Sequence, residues 1–258
     1  MKSQEILNRL VQLSRQIGRE DRQMAILGEG NVSADLGDGT FLVKASGGNL
    51  ATISPAGITR VRMRPIFDAL DSPNKTDDQV RTILEKSRVE KKSRLPSTET
   101  FLHAICLREG GAKWVGHAHP VSVLSILCSQ LGAEPFRRHI FPDGIVVCGR
   151  EVAVVPYVDP GIRLAVVLRK TLRQFRDRHT AAPKVILMLN HGPVILGESD
   201  RDVFNTMLML DKWAKILIGN YTISAPRFFD DKISDRIEDR PDEHYRRRVI
   251  GKLESTNY

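Results

Sequence analysis

Apolar residues recur at helical spacing from Glu5 to Ile17, where Ile6, Leu10, Leu13 and Ile17 share one side. The pattern then breaks at Leu27-Gly28-Glu29-Gly30, a glycine-marked turn that leads into a strand ending near Asp35. Gly37-Asp38-Gly39 is a hairpin signal, and Thr40 to Lys44 is the returning strand. Ala45-Ser46-Gly47-Gly48-Asn49 is a second tight turn, and Ser54-Pro55-Ala56-Gly57 is a turn or a helix start. Helical spacing predicts a short helix over Pro65 to Leu70 and a longer one over Thr76 to Val89. Glu90 to Arg94 is a charged connector. Leu95-Pro96-Ser97 opens a helix from about Thr98 to Arg108, with Ser97 as its N-cap. A strand from Lys113 to His117 follows. Pro120 then suits the first turn of a helix over Val121 to Gln130.

The second half reads the same way. Gly144 to Cys148 and Val152 to Tyr157 are β-branched runs, predicted as strands joined by Gly149-Arg150-Glu151. Asp159-Pro160-Gly161 starts a helix from Ile162 to Arg178. Lys184 to Leu189, Asn190-His191-Gly192 and Pro193 to Leu196 read as strand, turn and strand, and Ser199-Asp200 caps a long helix to about Tyr221. Beyond Ala225 charges of both signs dominate, with one or two short helices and a frayed end expected. The division is a domain over 1–225 and a charged extension, short helices or a lid, over 226–258. The fold class is α/β in one domain, with a mixed sheet because neighbouring strands are joined by hairpins.

Composition narrows the function. The 258 residues are 41% hydrophobic and 27% charged, enough for one large core. With no 18-residue apolar run, no membrane span is expected, and Met1 to Glu5 leads into an amphipathic helix rather than a signal peptide. Cys106, Cys128 and Cys148 form no CxxC pair. Each sits in an apolar run, so they read as reduced core residues of a cytoplasmic protein. The net charge of +8 raises the question of nucleic acid. The excess lies in Arg60 to Arg94 and on the helix with Arg163, Arg169, Lys170, Arg173, Arg176 and Arg178. Those cations sit opposite Leu164, Leu168, Leu172 and Phe175, as on a solvated helix face. No aromatic interleaving accompanies them, so no nucleic-acid partner is expected. A positive field also suits an anionic small molecule.

The candidate chemistry centres on Trp114-Val115-Gly116-His117-Ala118-His119-Pro120. Strand alternation puts His117 and His119 on one face, able to grip one metal ion. His191 is a third imidazole at an apolar strand end. Three neutral imidazoles with an open fourth position make a catalytic zinc arrangement, whereas the alternative is a set of ordinary polar residues. Glu99, in the first turn of the preceding helix, suits a general acid/base or a metal ligand, or is a plain first-turn glutamate. His103 shares its face one turn on and reads as a supporting or packing residue rather than a ligand. Gly30-Asn31, Ser46-Gly47 and Ser97-Thr98 offer backbone N–H groups and short polar side chains, the equipment of a phosphate site as well as of ordinary turns and caps.

In order along the chain, Gly30-Asn31-Val32-Ser33, Val43-Lys44-Ala45-Ser46-Gly47, Leu95-Pro96-Ser97-Thr98-Glu99, His117-Ala118-His119-Pro120 and Asn190-His191-Gly192 resemble the class II aldolase/adducin family. That family includes fuculose- and rhamnulose-phosphate aldolases and ribulose-phosphate 4-epimerase. The resemblance runs from about Glu5 to about Tyr221. It implies a three-layer α/β/α domain with a largely antiparallel sheet, in a homotetramer with sites at subunit interfaces. It also implies Zn2+, or another divalent metal such as Mn2+ or Co2+, on His117, His119 and His191. Glu99 takes the place of the acid/base, which also ligates the metal when substrate is absent. Gly30, Asn31, Ser46, Gly47, Ser97 and Thr98 take the phosphate-binding places. Ser54-Pro55-Ala56-Gly57 competes for the phosphate turn, but Ala45-Ser46-Gly47 directly follows the strand after the hairpin.

The implied reaction is reversible cleavage of a phosphorylated sugar, a ketose 1-phosphate, into dihydroxyacetone phosphate and an aldehyde through an enediolate. Asp143 or Tyr157 is the second acid/base. The alternatives on the same scaffold are a 4-epimerase and a decarboxylase or dehydratase. A structural adducin-like member would lack the zinc site, and the three histidines with Glu99 argue against that. The stretches from Gly57 to Leu95 and from His119 to His191 are longer than in the compact sugar-phosphate aldolases, which bears on the sugar more than on the chemistry.

Overall fold

The computed structural model describes residues 3–250 apart from residues 73 and 180. Its strands are β1 (Asn31–Asp35), β2 (Thr40–Lys44), β3 (Ile58–Arg62), β4 (Trp114–His117), β5 (Ala153–Val155), β6 (Val185–Met188) and β7 (Gly192–Gly197). They form a 7-stranded sheet in the order β3-β2-β1-β4-β7-β6-β5. Every neighbouring pair is antiparallel except β5 with β6, which is parallel. The sheet is therefore the largely antiparallel α/β sheet expected.

Strand alternation divides the core into two halves, one on each face. On one face Val32, Ala34, Trp114, Val185, Leu187 and Ile195 pack with α1 (Ser3–Ile17), α5 (Val121–Leu127) and α8 (Asp200–Ile223). On the other, Phe41, Val43, Val61, Val115, Ile186, Met188 and Val194 pack with α2 (Met63–Leu70), α4 (Thr100–Arg108) and α7 (Ile162–His179). A sheet covered on both faces explains why Val185-Ile186-Leu187-Met188 is apolar without interruption. On α7 the apolar stripe faces the core as expected. Its arginines cover the outside, where Arg169 and Arg173 bind Glu109 at 2.6 and 2.9 Å. Among the described residues no helix is long and apolar enough to cross a membrane.

Several elements differ from the sequence pattern. Gly144 to Cys148 is not a strand but part of α6 (Pro142–Cys148), which Pro142 starts. Ile145, Val146, Val147 and Cys148 are all buried, and a short run buried on every side carries no period by which helix and strand differ. The hairpin expected from Gly144 to Tyr157 is thus absent, and β5 reaches the sheet alone. β3 lies where no element was expected, after the Ser54 to Gly57 turn: Ile58-Thr59-Arg60-Val61-Arg62 alternates with two arginines, which reads as solvated chain until β2 pairs with it. α4 begins at Thr100, two residues later than expected, with Glu99 at the N-cap position. α5 stops at Leu127. α3 (Asp77–Ser87) has Thr76 as its N-cap, in a reciprocal capping box with Gln79. Cys106 and Cys148 are buried core residues, but Cys128 at the end of α5 is exposed.

The chain after α8 forms α9 (Asp231–Glu238) and α10 (Pro241–Ile250). Arg150, just past α6, fastens α9 through Asp231 at 2.7 Å and Asp235 at 2.9 Å. The frayed end expected over 251–258 lies outside the described residues.

The register sets up the functional region. Asn31 on β1 stands opposite His117 on β4, and His117 stands opposite Val194 on β7. The start of β1, the end of β4 and the start of β7 thus meet at one end of the central strands.

Candidate metal and anion site

His117 ends β4 in the middle of the sheet and is fully buried. Its Nδ1 donates to the Pro193 carbonyl at 2.8 Å. Burial pushes the ring down to about 4, partly opposed by the Glu99 charge, so it is neutral at neutral pH. His119 lies beyond the strand, so it is held by the turn rather than by alternation. Its backbone N–H donates to Met24 at 2.8 Å, and its Nδ1 lies 2.7 Å from the Glu29 carboxylate. His191 sits in the turn between β6 and β7. Gly192 there has φ +147, and a Cβ would fall 2.6 Å from the Ala118 carbonyl and 3.0 Å from His119 Cδ2. Only glycine lets this turn approach the other two histidines so closely.

The three rings come together with centroids 4.8, 4.9 and 5.3 Å apart, and their ligand nitrogens all lie within 4.8 Å of one another. The hydrogen bonds fix how they present themselves. Pro193 offers only a carbonyl, and Glu29 a carboxylate, so the Nδ1 of His117 and of His119 must each carry the proton. The Nε2 of each therefore points into the cluster, and these two nitrogens lie 3.0 Å apart. Nitrogens converging at that distance share one cation or one proton between them. Imidazole nitrogens with a carboxylate are the donor set of zinc and similar divalent ions, so the residues fit such an ion.

Glu99 completes the cluster. Its Oε1 lies 3.1 Å from His191 Nε2 and 3.5 Å from His117 Nε2. Its Oε2 accepts a hydrogen bond from the Asn31 side-chain amide. Burial alone would raise its pKa. The attraction of His117, the contact with His191 and the Asn31 hydrogen bond outweigh burial and hold the carboxyl well below the usual carboxylate range. Behind Asn31 stands His103, buried, with Nε2 on the Asn31 side-chain oxygen and Nδ1 2.7 Å from Ser33 Oγ. His103 thus stands behind Asn31 and outside the group of three convergent imidazoles.

The polar turns meet beside this cluster. Ala45 and Pro96 form an antiparallel bridge; Ser46 N–H donates to Leu95 at 2.8 Å, and Ser97 N–H to Lys44 at 3.4 Å. Ser46-Gly47 and Ser97-Thr98 are therefore neighbours, although a long stretch of chain separates them. Ser46, Gly47 and Thr98 are exposed, Ser97 is half-buried, and Ser97 Oγ accepts from the Glu99 N–H at 3.3 Å. Gly30, with φ +72, packs against the His117 carbonyl. Ser54-Pro55-Ala56-Gly57 instead forms a single helical turn that introduces β3.

Three charged residues join the site that the sequence did not single out. Glu29 holds His119, as described. Lys44 is 2% exposed, with its ammonium 2.9 Å from the Gly28 carbonyl. Its pKa is lowered by burial and by Arg94, against the opposing pull of Glu99. Arg94 reaches the Ser46 carbonyl at 3.2 Å. The signal for Lys44 was a lysine ending the apolar strand Thr40-Phe41-Leu42-Val43-Lys44, an expensive burial without a task. Of the two candidates for a second acid/base, Asp143 lies in the first turn of α6. Tyr157 lies just past β5, exposed, donating to Asp159 at 3.0 Å. The pairing of Val155 with Met188 sets the end of β5 beside the strand that leads to His191.

The family model of the Class II Aldolase and Adducin N-terminal domain matches residues 8–218, and the chain belongs to this family. Among its relatives, the "3-oxo-tetronate 4-phosphate decarboxylase" of Escherichia coli (strain K12) is 27% identical over 190 residues, which is 73% of this chain and 75% of that protein. The "Uncharacterized oxidoreductase YuxG" of Bacillus subtilis (strain 168) is 27% identical over 219 residues, 82% of this chain. That match spans only 29% of YuxG, so the chain corresponds to one part of a longer protein there. Among solved structures, the N-terminal class II aldolase domain of a conserved protein from Thermoplasma acidophilum superposes with a TM-score of 0.68 at 27% identity, covering 84% of this chain and 96% of that one.

Proposed function

We propose that the chain is a metal-dependent carbon–carbon lyase for a phosphorylated sugar, reversibly cleaving a ketose 1-phosphate into dihydroxyacetone phosphate and an aldehyde. The observation that carries this reading is the ionised, buried Glu99 carboxylate in contact with two of three convergent imidazoles. His117, His119 and His191 would hold a divalent ion, zinc, manganese or cobalt, with Glu99 as a further ligand before substrate arrives. Such an ion, when bound, supplies the Lewis acidity that stabilises negative charge on a carbonyl oxygen.

The rest falls to the protein's own side chains. Glu99 moves a proton to or from the carbon next to that carbonyl. Gly30, Asn31, Ser46, Gly47, Ser97 and Thr98 receive the phosphate. Since the N–H groups of Ser46 and Ser97 are spent on backbone carbonyls, these two contribute their hydroxyls. Lys44 and Arg94 supply the countercharge to a dianion, consistent with their mutual electrostatic coupling. Anchoring the phosphate holds the reacting carbon beside Glu99. Tyr157 or Asp143 serves the aldehyde oxygen.

A second reading is supported by the name of the Escherichia coli relative: decarboxylation of a phosphorylated 3-oxo acid. It needs the same charge stabilisation at the carbonyl and the same proton handling by Glu99, but the fragment released is carbon dioxide. The two are separated by a product assay on metal-loaded protein with a panel of ketose 1-phosphates and 3-oxo-tetronate 4-phosphate. Dihydroxyacetone phosphate with an aldehyde supports the first, carbon dioxide the second. Glu99→Gln is expected to lower turnover about 10²- to 10⁴-fold, the usual reach of a positioned acid or base. A variant as active as the parent, or a parent inert on every compound, overturns the reading.

A further inference from the structure

We infer that His103 is a positioning residue that, with Ser33 behind it, sets the orientation of the Asn31 amide and through it the Glu99 carboxylate. The inference rests on the role for Glu99 just proposed. Its basis is a chain of hydrogen bonds in which each donor fixes the next. The Asn31 side-chain NH₂ donates to Glu99 Oε2, so the amide presents its NH₂ and not its oxygen to the carboxylate. The Asn31 oxygen is thereby turned toward His103 Nε2, and an oxygen there requires an N–H. His103 is thus the Nε2–H tautomer. Its Nδ1 is a lone pair, and Ser33 Oγ at 2.7 Å donates its proton to it.

All the members of this chain are buried and sit on elements of the main core: Asn31 and Ser33 alternate on β1, and Glu99 and His103 are one turn apart at the start of α4. The strand face and the helix face are therefore joined through these groups. Both ring nitrogens of His103 are engaged, Nε2 by Asn31 and Nδ1 by Ser33, so the ring keeps a single role. A neutral, hydrogen-bonded ring inside the core spends its polarity on one task, since an unneeded buried imidazole would be replaced by an apolar residue at no loss. The task is to prevent the Asn31 amide from flipping. A flipped amide would aim an oxygen at Glu99, and the carboxylate would swing away from His117 and His191. The second N–H of the Asn31 amide remains for a substrate oxygen.

The test has two arms. In the first, nitrogen-15 NMR on the metal-free chain reads the His103 tautomer and the exchange of the Asn31 side-chain amide. The expected result is the Nε2–H form at neutral pH and a slowly exchanging amide. His103→Leu is expected to speed that exchange at least 10-fold, Ser33→Ala less, and His103→Gln, whose amide N–H replaces Nε2–H, hardly at all. An Nδ1–H tautomer, or amide exchange unaffected by His103→Leu, overturns the inference even if the protein proves not to be a lyase. In the second arm, on whichever substrate the parent turns over, His103→Leu is expected to lower kcat about 10- to 100-fold with KM within about 3-fold and metal content unchanged. His103→Gln should recover most of it. Loss spread equally over kcat, KM and metal content in both variants means that His103 only packs, which also overturns it. If His103→Leu does not fold, Ser33→Ala and His103→Gln carry both arms.

Discussion

The carboxylate of Glu29 lies 2.7 Å from Nδ1 of His119, while the opposite nitrogen of the same ring faces His117 at 3.0 Å. Glu29 therefore decides which nitrogen of His119 is presented to a metal ion. Outer partners of this kind are worth about 10- to 100-fold in metal affinity. Glu29→Ala is expected to weaken zinc binding by that amount and Glu29→Gln by less, since its amide oxygen still accepts the proton. Competition with a chromogenic chelator measures it. Equal affinity in all three proteins would show that the loop carrying Glu29 has no hold on the ring.

Gly192 is the residue on which the third imidazole depends. Alanine there must adopt φ near +147, and its Cβ would crowd both the Ala118 carbonyl and His119. The backbone cost is about 1–3 kcal/mol. The rings would also be pushed apart. Gly192→Ala should fold with a lowered Tm and should lose most of the rise in Tm that zinc gives the parent. A zinc-induced rise as large as the parent's is the contrary outcome.

Lys44 and the anion turns can be tested with inorganic phosphate alone. A buried ammonium is a strong partner for a dianion. Lys44→Met, which keeps the length of the side chain in its buried slot, is expected to weaken phosphate binding at least 10-fold by calorimetry while leaving zinc content unchanged. Undiminished phosphate binding would move the anion site elsewhere.

His139 gives the acid limit of the fold. It is stacked on Trp213 with centroids 4.3 Å apart, its Nε2 bonds the Arg150 carbonyl, and burial pushes it down to about 4. Above about pH 6.5 the ring is neutral both folded and unfolded, and the full stability is present. As pH falls toward 4, the unfolded chain takes up a proton that the folded ring refuses, so stability is lost through that window. His139 alone accounts for on the order of 3 kcal/mol at its lower end. His103 and His117, both also depressed by burial, act with the same sign. The Tm of the metal-free protein should drop steeply between pH 6.5 and 4, and less steeply in His139→Gln. An equally steep drop in the variant would rule out this source.

Residues whose task is local were the ones legible in the sequence. The Gly37-Asp38-Gly39 hairpin, the Ser199 cap and the stripe of α7 follow from period, turn chemistry and capping, and each stands as read. His117, His119 and His191 could be named because imidazoles at the ends of apolar strands suggest a shared use, and Glu99 because it opens the helix just before the first of those strands. What the sequence hid depends on distant chain. α6 and β3 take their conformation from the surfaces they meet. Glu29 and Arg94 look like ordinary surface charges until the fold brings them to His119 and to Ser46. The alternation argument for His119 reached the right neighbourhood by the wrong route, since the strand ends at His117 and the turn delivers the second ring.

The bridge between Ala45 and Pro96 has a consequence for how this architecture can diversify. Ala45 N–H donates to the Gly57 carbonyl and Ser46 N–H to the Leu95 carbonyl, each at 2.8 Å. The chain between those two points therefore departs from and returns to one fixed anchorage. Within that stretch β3 is paired with β2 and α2 is packed into the core, so it is the exposed remainder that can change sequence while both lips of the turn stay where they are. In this protein the stretch holds β3, α2, α3 and the cationic run up to Arg94. Substitution in that exposed part can alter the surface beside Ser46 and leave the imidazole cluster untouched, so the two regions are free to evolve at different rates.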